Sequence, residues 1–499
     1  MMKRKKCVII GSGLGGLSCG VMLSRNGYDV TVIEQHSRIG GCLQCFSRRG
    51  ARFETGMHFI GSASPGQTLH RLMRFLGLGD IPLSRLDPLA YDIVSIGGDR
   101  FRFANGRDAF ISQMSEYFPR ETDNIARYYD IIEEISQASS LHSLRYAESD
   151  VAVSTHYQTV SINEVMDGLF DDPLIKDVLV GNLPLYAAEK DRTPFSQHAF
   201  IMDFYNQSAY RIVGGSDAVA ESLAATIRDA GGEVVTNCRA VRIVCDDTRA
   251  TGVLTANGDF IPADLVIAAI HPARVMEMLD TRLIRPAFRH RMSALRNTTA
   301  GFSVYLKFKP GRVPYLNSNY YSFNAGSPWG CEDYTEASWP KGYLYMHFCD
   351  SPSPAYASSG VILSYMKMDD VARWAGTSVG RRGADYEDFK RRKAELLIDE
   401  VEREFPGLRD SIECLFTASP LTYLDYTGTQ DGSMYGVAKD ITLGAACRVP
   451  HKTKVPNLLL TGQNVNSHGM LGVLVGSIVT CSELLTAEKI YRQIMESEK

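Results

Sequence analysis

The residues best suited to chemistry stand near the start of the chain, in a glycine-rich turn and an acid that follows it. An apolar run at 8–10 leads into residues 11–16, Gly-Ser-Gly-Leu-Gly-Gly, and a second apolar run at 30–33 ends in Glu34. Glycines at these positions permit a tight turn, a close approach of backbone to a pyrophosphate, and close packing of a helix on a strand. The carboxylate of Glu34 is spaced to accept hydrogen bonds from ribose hydroxyls. The pattern therefore predicts a dinucleotide-binding strand–helix–strand unit.

A second glycine pair indicates which nucleotide is bound. Glu34 is followed by Gln35 and, after a short gap, by Gly40 and Gly41. Such a pair is typical of enzymes that bind FAD, because the backbone must again pass close to the cofactor. We therefore expect non-covalently bound FAD. Since no second glycine-rich unit follows a strand, NAD(P)H is expected only as a transient electron donor.

The elements that must position these residues are readable from the pattern. Asn26 and Gly27 end the first helix, whose positive N-terminal end points at the phosphates. Residues 53–61 read as a short strand with glycines at both ends. Near the C-terminus, a buried strand enters a loop at Gly462, and Gly469 opens a long helix. The N-terminus of that helix would stabilise negative charge on a reduced flavin.

The middle of the chain indicates further α/β structure. A helix follows Ser216, and strands at 240–244 and 265–269 come next, with Asn257-Gly258 as the expected hairpin turn between them. We predict an α/β fold: a discontinuous, doubly wound, Rossmann-like FAD-binding domain with an inserted α+β substrate domain. The FAD-binding domain is expected at 1–85, 205–275 and 415–499, and the substrate domain at 86–204 and 276–414.

Several motifs resemble the all-trans-retinol saturase branch of the carotenoid and retinoid oxidoreductases, a family that includes phytoene desaturases and carotenoid isomerases. They lie at 34–42, 54–61, 211–216, 432–436 and 456–472. The resemblance is strong in the FAD segments and faint in the substrate segments. It implies an FAD-dependent oxidoreductase that acts on the C=C bonds of an apolar polyene, an isoprenoid or a similar unsaturated lipid.

The resemblance also implies roles for individual residues. Many relatives carry arginine after the glycine pair, whereas this chain has Cys42, as in the saturase branch. The residues implied to bind the cofactor are Gly11, Ser12, Gly13, Leu14, Gly15, Gly16, Glu34, Gln35, Gly40, Gly41, Cys42, Met57, His58, Val241, Gly462, Gln463, Gly469, Met470 and Leu471.

Saturation of a C=C bond requires a hydride and a proton, so an acid is sought among the residues near the flavin. His58 and Tyr435 are the catalytic candidates. The alternatives are a histidine bonded to backbone and an ordinary packed tyrosine. His468, which precedes the last flavin motif, is a further candidate. Solvent protonation of an extended carbanion would make a protein acid unnecessary.

A redox-active thiol pair at Cys42 and Cys45 must be considered, since the two form a CxxC motif beside the flavin site. The longer cysteine spacing and second nucleotide unit of flavin disulfide reductases are absent from the sequence, which argues against that role. No metal site is expected, because no second pair of ligands has suitable spacing.

Other functions remain compatible with the motifs. Saturation is the expected reaction, with a desaturase or an isomerase as alternatives that depend on the electron partner and the substrate. An amine oxidase shares the fold and would place an aromatic cage beside the flavin. A non-catalytic escort protein for prenylated partners also shares the fold, but Glu34, the Gly40-Gly41 pair and residues 462–476 speak against it.

The composition is that of an ordinary globular protein. The chain has 499 residues, 44% hydrophobic and 22% charged, so at least two domains are expected. Its 53 basic and 57 acidic residues give a net charge of −4, which offers no reason to expect nucleic-acid binding. Its 11 scattered cysteines favour a reducing compartment over a disulfide framework.

The N-terminus resembles the start of a signal peptide, with basic residues at 3–6 before an apolar run. That run forms the first strand of the nucleotide unit, so its removal would destroy the site, and no signal is expected. No stretch of about 20 apolar residues predicts a spanning helix. We expect a cytoplasmic protein in peripheral contact with the membrane that stores its hydrophobic small-molecule substrate.

Overall fold

The structure is a computed structural model that describes residues 4–144, 151–324, 326–349, 351 and 354–498. Its strands are β1 (Lys6–Ile10), β2 (Asp29–Ile33), β3 (Cys45–Arg48), β4 (Ala51–Glu54), β5 (Ile60–Gly61), β6 (Leu83–Arg85), β7 (Asp92–Ile96), β8 (Asp99–Phe103), β9 (Ala209–Ile212), β10 (Glu233–Val235), β11 (Ala240–Cys245), β12 (Ala250–Thr255), β13 (Phe260–Pro262), β14 (Leu265–Ala268), β15 (Gly301–Phe308), β16 (Asn319–Phe323), β17 (Gly342–Phe348), β18 (Ser359–Tyr365), β19 (Ile412–Ala418) and β20 (Leu458–Leu460).

The helices alternate with these strands in the first part of the chain and cluster in its middle. They are α1 (Leu14–Arg25), α2 (Thr68–Leu76), α3 (Arg107–Tyr117), α4 (Thr122–Ala138), α5 (Ser140–Ser143), α6 (Val151–Tyr157), α7 (Ile162–Leu169), α8 (Pro173–Leu179), α9 (Phe195–Gln207), α10 (Asp217–Asp229), α11 (Pro272–Glu277), α12 (Pro286–Ser293), α13 (Ala384–Glu404), α14 (Leu408–Ser411), α15 (Pro420–Thr427), α16 (Gly469–Leu485) and α17 (Ala487–Glu496).

A parallel sheet with the strand order β10–β2–β1–β14–β20 forms the first layer, and its strands come from all three segments predicted to bind FAD. The central strands are continuous buried apolar runs, as expected for a parallel sheet covered on both faces. The chain leaves β1 in one direction toward β2, while β14 lies on the other side of β1. Ligands bind at such a switch point, at the carboxyl edge of the sheet.

The first helix, α1, packs against this sheet at backbone distance, which its glycines make possible. A Cβ atom on Gly16 would lie 2.1 Å from the carbonyl oxygen of Gly11, and one on Gly15 would lie 2.8 Å from the Cα of Gly462. The helix ends where predicted, with Gly27 at φ +86°. These contacts fix the N-terminus of α1 at the carboxyl edge of the parallel sheet.

A mixed sheet with the order β19–β15–β18–β17–β16–β7–β8 forms the second layer. Helices α4 and α9 pack together, and residues from both share one buried cluster with Tyr321 and Leu344 of this sheet. On the opposite face, α13 buries Phe389, Leu397 and Val401 against it. The predicted fold class, a doubly wound FAD-binding domain with an inserted α+β domain, is confirmed.

Two details of the predicted organisation are wrong. The boundary at 414/415 falls inside β19, which pairs with β15 of the mixed sheet through Ala418. The turn at Asn257-Gly258 joins β12 and β13, because a strand at 250–255 precedes it, and the sequence pattern did not reveal that strand. The strand at 265–268 therefore pairs with β1 in the parallel sheet and not with the strand at 240–245.

Within the described ranges, no single helix is long and apolar enough to cross a membrane. Helices α16 and α17 reach the required length and composition only as a pair, which is bent by 120°. Helix α16 is largely buried and packs against α1.

We expect Gly16→Ala to destabilise the protein by about 1–3 kcal/mol, because the new methyl group would overlap the backbone of Gly11. Urea unfolding of the apoprotein measures this effect. Gly168→Ala is the matched control, since a Cβ on Gly168 in helix α7 meets nothing within 4 Å. Equal stability of Gly16→Ala and the wild type would contradict the close contact.

A second prediction concerns acid stability. His198 is fully buried and bonds the hydroxyls of Tyr128 and Tyr186 at 2.7 Å through its two ring nitrogens. Burial lowers its pKa to about 3, whereas the unfolded chain takes up this proton near pH 6.5. His198 alone should therefore lower the free energy of unfolding by about 1.4 kcal/mol for each pH unit as the pH drops from 6.5 toward 3.

The free energy of unfolding, measured across this pH range, should depend less steeply on pH in His198→Gln than in the wild type. Glutamine keeps a hydrogen-bond donor and an acceptor but takes up no proton. His290→Gln, at an exposed position on α12, is the control that should keep the wild-type slope. An unchanged slope in His198→Gln would show that this histidine does not remain neutral in the folded state.

Candidate functional site

A cavity of about 660 Å³ lies at the carboxyl edge of the parallel sheet and extends toward the mixed sheet. The segments that follow β1, β2, β14 and β20 all reach it, as the switch-point rule requires. The residues predicted to bind the cofactor that line it are Gly11, Ser12, Gly13, Leu14, Gly15, Glu34, Gln35, Gly40, Gly41, Cys42, Met57, His58, Gly462, Gln463, Gly469 and Met470.

The N-terminus of α1 opens into this cavity. Its N-cap residue is Gly13, and no side chain caps the helix. A Cβ on Gly13 would meet nothing within 4 Å, so the space beside its backbone is open. Free N–H groups, the positive end of the helix dipole and an open cradle together fit a pyrophosphate.

Glu34 lies at the next strand end and is almost completely buried. Its Oε2 accepts hydrogen bonds from the backbone N–H (3.1 Å) and the hydroxyl (2.6 Å) of Ser12, and its Oε1 accepts one from the N–H of His36 (2.9 Å). These bonds fix the carboxylate while its remaining lone pairs face the cavity. The arrangement fits the hydroxyls of a ribose.

Helix α16 presents a second uncapped N-terminus at the other end of the cavity. Its N-cap residue is His468, whose side chain makes no capping bond, and Gly469 and Met470 line the cavity beside it. His468 does not line the cavity; its ring packs 4.7 Å from that of Tyr435, and burial lowers its pKa to about 4. The dipole of α16 suits an electron-accepting ring that becomes negative on reduction.

The segment between Glu54 and Ile60 runs along the cavity as a loop, so the continuous strand predicted at 53–61 is wrong. A Cβ on Gly56 would lie 3.0 Å from the carbonyl oxygen of Cys42, and this close passage interrupts the strand. His58 lines the cavity, and its Nδ1 lies 3.5 Å from Oε2 of the buried Glu54, without hydrogen-bond geometry.

Arg211 holds this loop from behind. Its guanidinium donates hydrogen bonds to the carbonyl of His58 (3.2 Å) and to Oδ1 of Asn319 (3.0 Å), and it lies over the ring of Phe348. Asn319 in turn donates to the buried carboxyl of Asp92 (2.8 Å). Burial raises the pKa of Asp92 to about 7. The network ties the cavity loop to strands β7 and β16 of the mixed sheet.

The far wall of the cavity is apolar and includes residues that sequence analysis did not single out. They are Phe59, Leu185, Tyr205, Leu344, Leu363, Tyr423 and Met434. Tyr435, predicted as a catalytic candidate, lies in the same wall and donates a hydrogen bond to the carbonyl of Pro184 (2.8 Å). Phe59 and Met434 lie within the motifs at 54–61 and 432–436. The other five come from distant helices and strands, so no local motif marks them.

Some of the predicted residues lie outside the cavity lining. Gly16 packs against Gly11 and supports the turn without facing the cavity. Leu471 points into the core that α16 shares with α1. Val241 is 40% exposed to solvent, because the pairing of β11 with β12 shifts register between Ala240 and Arg242. Arg239 and Ala240 line the cavity in its place.

The two cysteines of the CxxC motif differ in position. Cys42 lines the cavity, whereas Cys45 is buried beside Ser216. Burial raises the pKa of each thiol to about 11, so both are protonated at neutral pH. Reactive thiols have a lowered pKa, so these observations argue against a redox-active pair. The described residues include no group of three or more potential metal ligands.

The polar groups that line the cavity therefore fit a flavin dinucleotide. Gly13 and the N-terminus of α1 would hold the pyrophosphate, Glu34 the ribose, and the N-terminus of α16 the isoalloxazine ring. The lining contains ionisable side chains, among them Glu34, Arg239, Arg274, Glu277, Asp425 and His58, and a separate set of apolar and tyrosine side chains. Tyr435 of the second set packs against His468, the N-cap residue of α16.

Comparison with known proteins agrees with this assignment. A family model described as flavin-containing amine oxidoreductase matches residues 14–391. The chain is 27% identical to all-trans-retinol 13,14-reductase of Rattus norvegicus, with 98% of this chain and 86% of that protein covered. It is 21% identical to chloroplastic prolycopene isomerase 1 of an Oncidium hybrid cultivar, with 96% and 84% covered.

Solved structures show the same fold. An oxidoreductase from Methanosarcina mazei superposes with a TM-score of 0.64 at 16% identity, covering 96% of this chain and 100% of that one.

We expect Gly13→Ala to weaken FAD binding at least tenfold, a loss of about 1.4 kcal/mol, without destabilising the apoprotein. Gly13 has φ −65°, which alanine adopts without strain, and the added methyl would occupy the open cradle. Titration of apoprotein with FAD, followed by flavin fluorescence, measures the affinity, and Gly168→Ala again serves as the control. Unchanged affinity for FAD in Gly13→Ala would show that the pyrophosphate does not bind at this turn.

Proposed function

The chain belongs to the flavin-containing amine oxidoreductase family, and on that premise we propose that it saturates a C=C bond of an apolar polyene. The observation that carries this proposal is the apolar part of the cavity wall, which the contact of Tyr435 with His468 joins to the N-terminus of α16. Such a wall suits a long conjugated hydrocarbon and excludes water from the reacting carbons. The likeness to all-trans-retinol 13,14-reductase favours saturation over the other reactions of the fold.

Reduced flavin supplies the hydride for this reaction when it is bound. The residues of the chain perform the remaining tasks. Glu34 and the turn at Gly13 anchor the nucleotide. The leucine pair Leu344 and Leu363 and the tyrosines of the wall hold the polyene flat against the ring position. We keep His58 as a candidate proton donor, because its side chain lines the cavity.

We propose that NAD(P)H reduces the flavin transiently, since no dedicated second nucleotide unit appears in the sequence. We also propose that the protein is cytoplasmic and contacts membranes peripherally, because apolar polyenes reside there. Co-sedimentation with phosphatidylcholine vesicles tests the membrane contact, and recovery of the protein only in the supernatant would contradict it.

Anaerobic stopped-flow absorbance near 450 nm tests the reaction. The FAD-loaded protein is mixed with NADPH and then NADH, and the bleached protein is mixed with all-trans-retinol, prolycopene or phytoene. We expect bleaching by a nicotinamide donor, followed by recovery of the flavin absorbance with a polyene whose product is two hydrogens heavier by mass spectrometry.

Other outcomes would replace this proposal with a named alternative. Bleaching of oxidised flavin by phytoene would indicate a desaturase, and a geometric isomer of unchanged mass would indicate an isomerase. Bleaching by putrescine would indicate amine oxidation. A protein that stays colourless after incubation with FAD would overturn the enzymatic reading in favour of a lipid-binding protein.

A further inference from the structure

The wall of the cavity contains tyrosine hydroxyls in different hydrogen-bonding situations. Tyr205, Tyr423 and Tyr435 all line it. Cys42, which follows the second glycine pair, lines the same cavity. Only a hydroxyl whose proton is not already committed, and whose phenolate is stabilised, can serve as an acid.

Two of these hydroxyls fail that requirement. The hydroxyl of Tyr435 donates its proton to the carbonyl oxygen of Pro184 at 2.8 Å, and a carbonyl cannot donate in return. The hydroxyl of Tyr205 has no hydrogen-bond partner among the residues that the structure describes, and the nearby carboxyl of Asp92 disfavours its phenolate. Burial raises the pKa of all three tyrosines, so the hydrogen bonds of their hydroxyls are what distinguishes them.

Tyr423 meets the requirement. Its hydroxyl lies 3.0 Å from Oγ of Ser303, and either oxygen can be the donor. The serine can therefore accept from the neutral phenol or donate to the phenolate. Burial raises the pKa of Tyr423 to about 12, and the bond to Ser303 lowers it. The serine thus stabilises the phenolate and offsets part of the effect of burial.

The positions of both residues are fixed by the fold. Ser303 on β15 is 2% exposed and lies directly opposite Leu363 of β18, which in turn lies opposite Leu344 of β17. These leucines line the cavity, so Ser303 belongs to the same row of the mixed sheet. Tyr423 lies on α15, whose start is fixed by a capping box at Ser419.

We propose that Tyr423 is the proton donor for saturation of the polyene, with Ser303 as its positioning residue. This inference rests on the proposed function. The hydride that reduced flavin supplies forms a C–H bond at one alkene carbon. The π electrons of the C=C bond take the phenolic proton of Tyr423 and form the second C–H bond at the neighbouring carbon. The electron pair of the O–H bond stays on the Tyr423 oxygen, Ser303 donates to that phenolate, and water returns the proton after the product leaves.

The test compares Tyr423→Phe with the wild type as FAD-loaded proteins. Each is reduced anaerobically with dithionite and mixed with all-trans-retinol in D₂O. We expect the flavin absorbance of Tyr423→Phe to recover about 100-fold more slowly, within the range for loss of a general acid. At the carbon that receives the proton, we expect deuterium to enter from one face in the wild type. In Tyr423→Phe we expect it to enter from both faces. Retinol binding to the oxidised proteins, measured by fluorescence, should be unchanged.

Matched variants separate proton donation from packing. Tyr386→Phe removes a tyrosine hydroxyl on α13 that bonds Oγ of Ser419, the N-cap residue of α15, at 2.7 Å. Tyr386 does not line the cavity. We expect this control to behave like the wild type. Ser303→Ala should slow recovery less than Tyr423→Phe and keep deuterium on one face, while Ser303→Thr, which retains a hydroxyl, should restore the rate.

Each remaining outcome overturns the inference. Wild-type rate and single-face deuterium in Tyr423→Phe would exclude Tyr423 as the donor and leave the proposed function intact. Loss of facial selectivity in Tyr435→Phe or His58→Gln instead would assign the proton to that residue. If the wild type saturates none of retinol, prolycopene and phytoene, the proposed function fails, and this inference fails with it.

Discussion

The architecture depends on the contact between the backbone of α1 and the turn that follows β1. Gly16 and Gly15 allow the helix to touch the carbonyl of Gly11 and the Cα of Gly462. A bulkier helix would stand away from the sheet, and its N-terminus would no longer reach the carboxyl edge. Because Gly462 follows the last strand of the parallel sheet, the same contact joins the beginning of the chain to its end.

Ionisable and apolar side chains share the lining of the cavity. The carboxylate of Glu34 is held in place by Ser12 and the N–H of His36. The N-terminus of α16, which Tyr435 contacts through His468, supplies a positive potential from its backbone. A helix dipole stabilises a negative ring without placing a mobile proton or a hydrated ion beside an apolar substrate.

The predicted residues that the structure places on the cavity are the ones with a local signal in the sequence. The turn at 11–16, Glu34 and the start of α16 each sit within a few residues of their own structural signal, and the structure places them on the cavity. Tyr205 and Tyr423 carry no such signal, because α9 and α15 reach the cavity only through the pairing of β9, β15 and β19 with distant strands. Val241 lies outside the lining while Ala240 lies within it, and a register shift in a hairpin leaves no mark on hydrophobic alternation.

Helix α15 carries two tyrosines that line the cavity. Tyr423 bonds Ser303 of β15, while Tyr426 stacks on His36, with ring centroids 5.7 Å apart. Arg382 forms an ion pair with Asp425 of the same helix. Because His36 follows β2 and Ser303 belongs to the mixed sheet, this one short helix links the two layers of the molecule across the cavity.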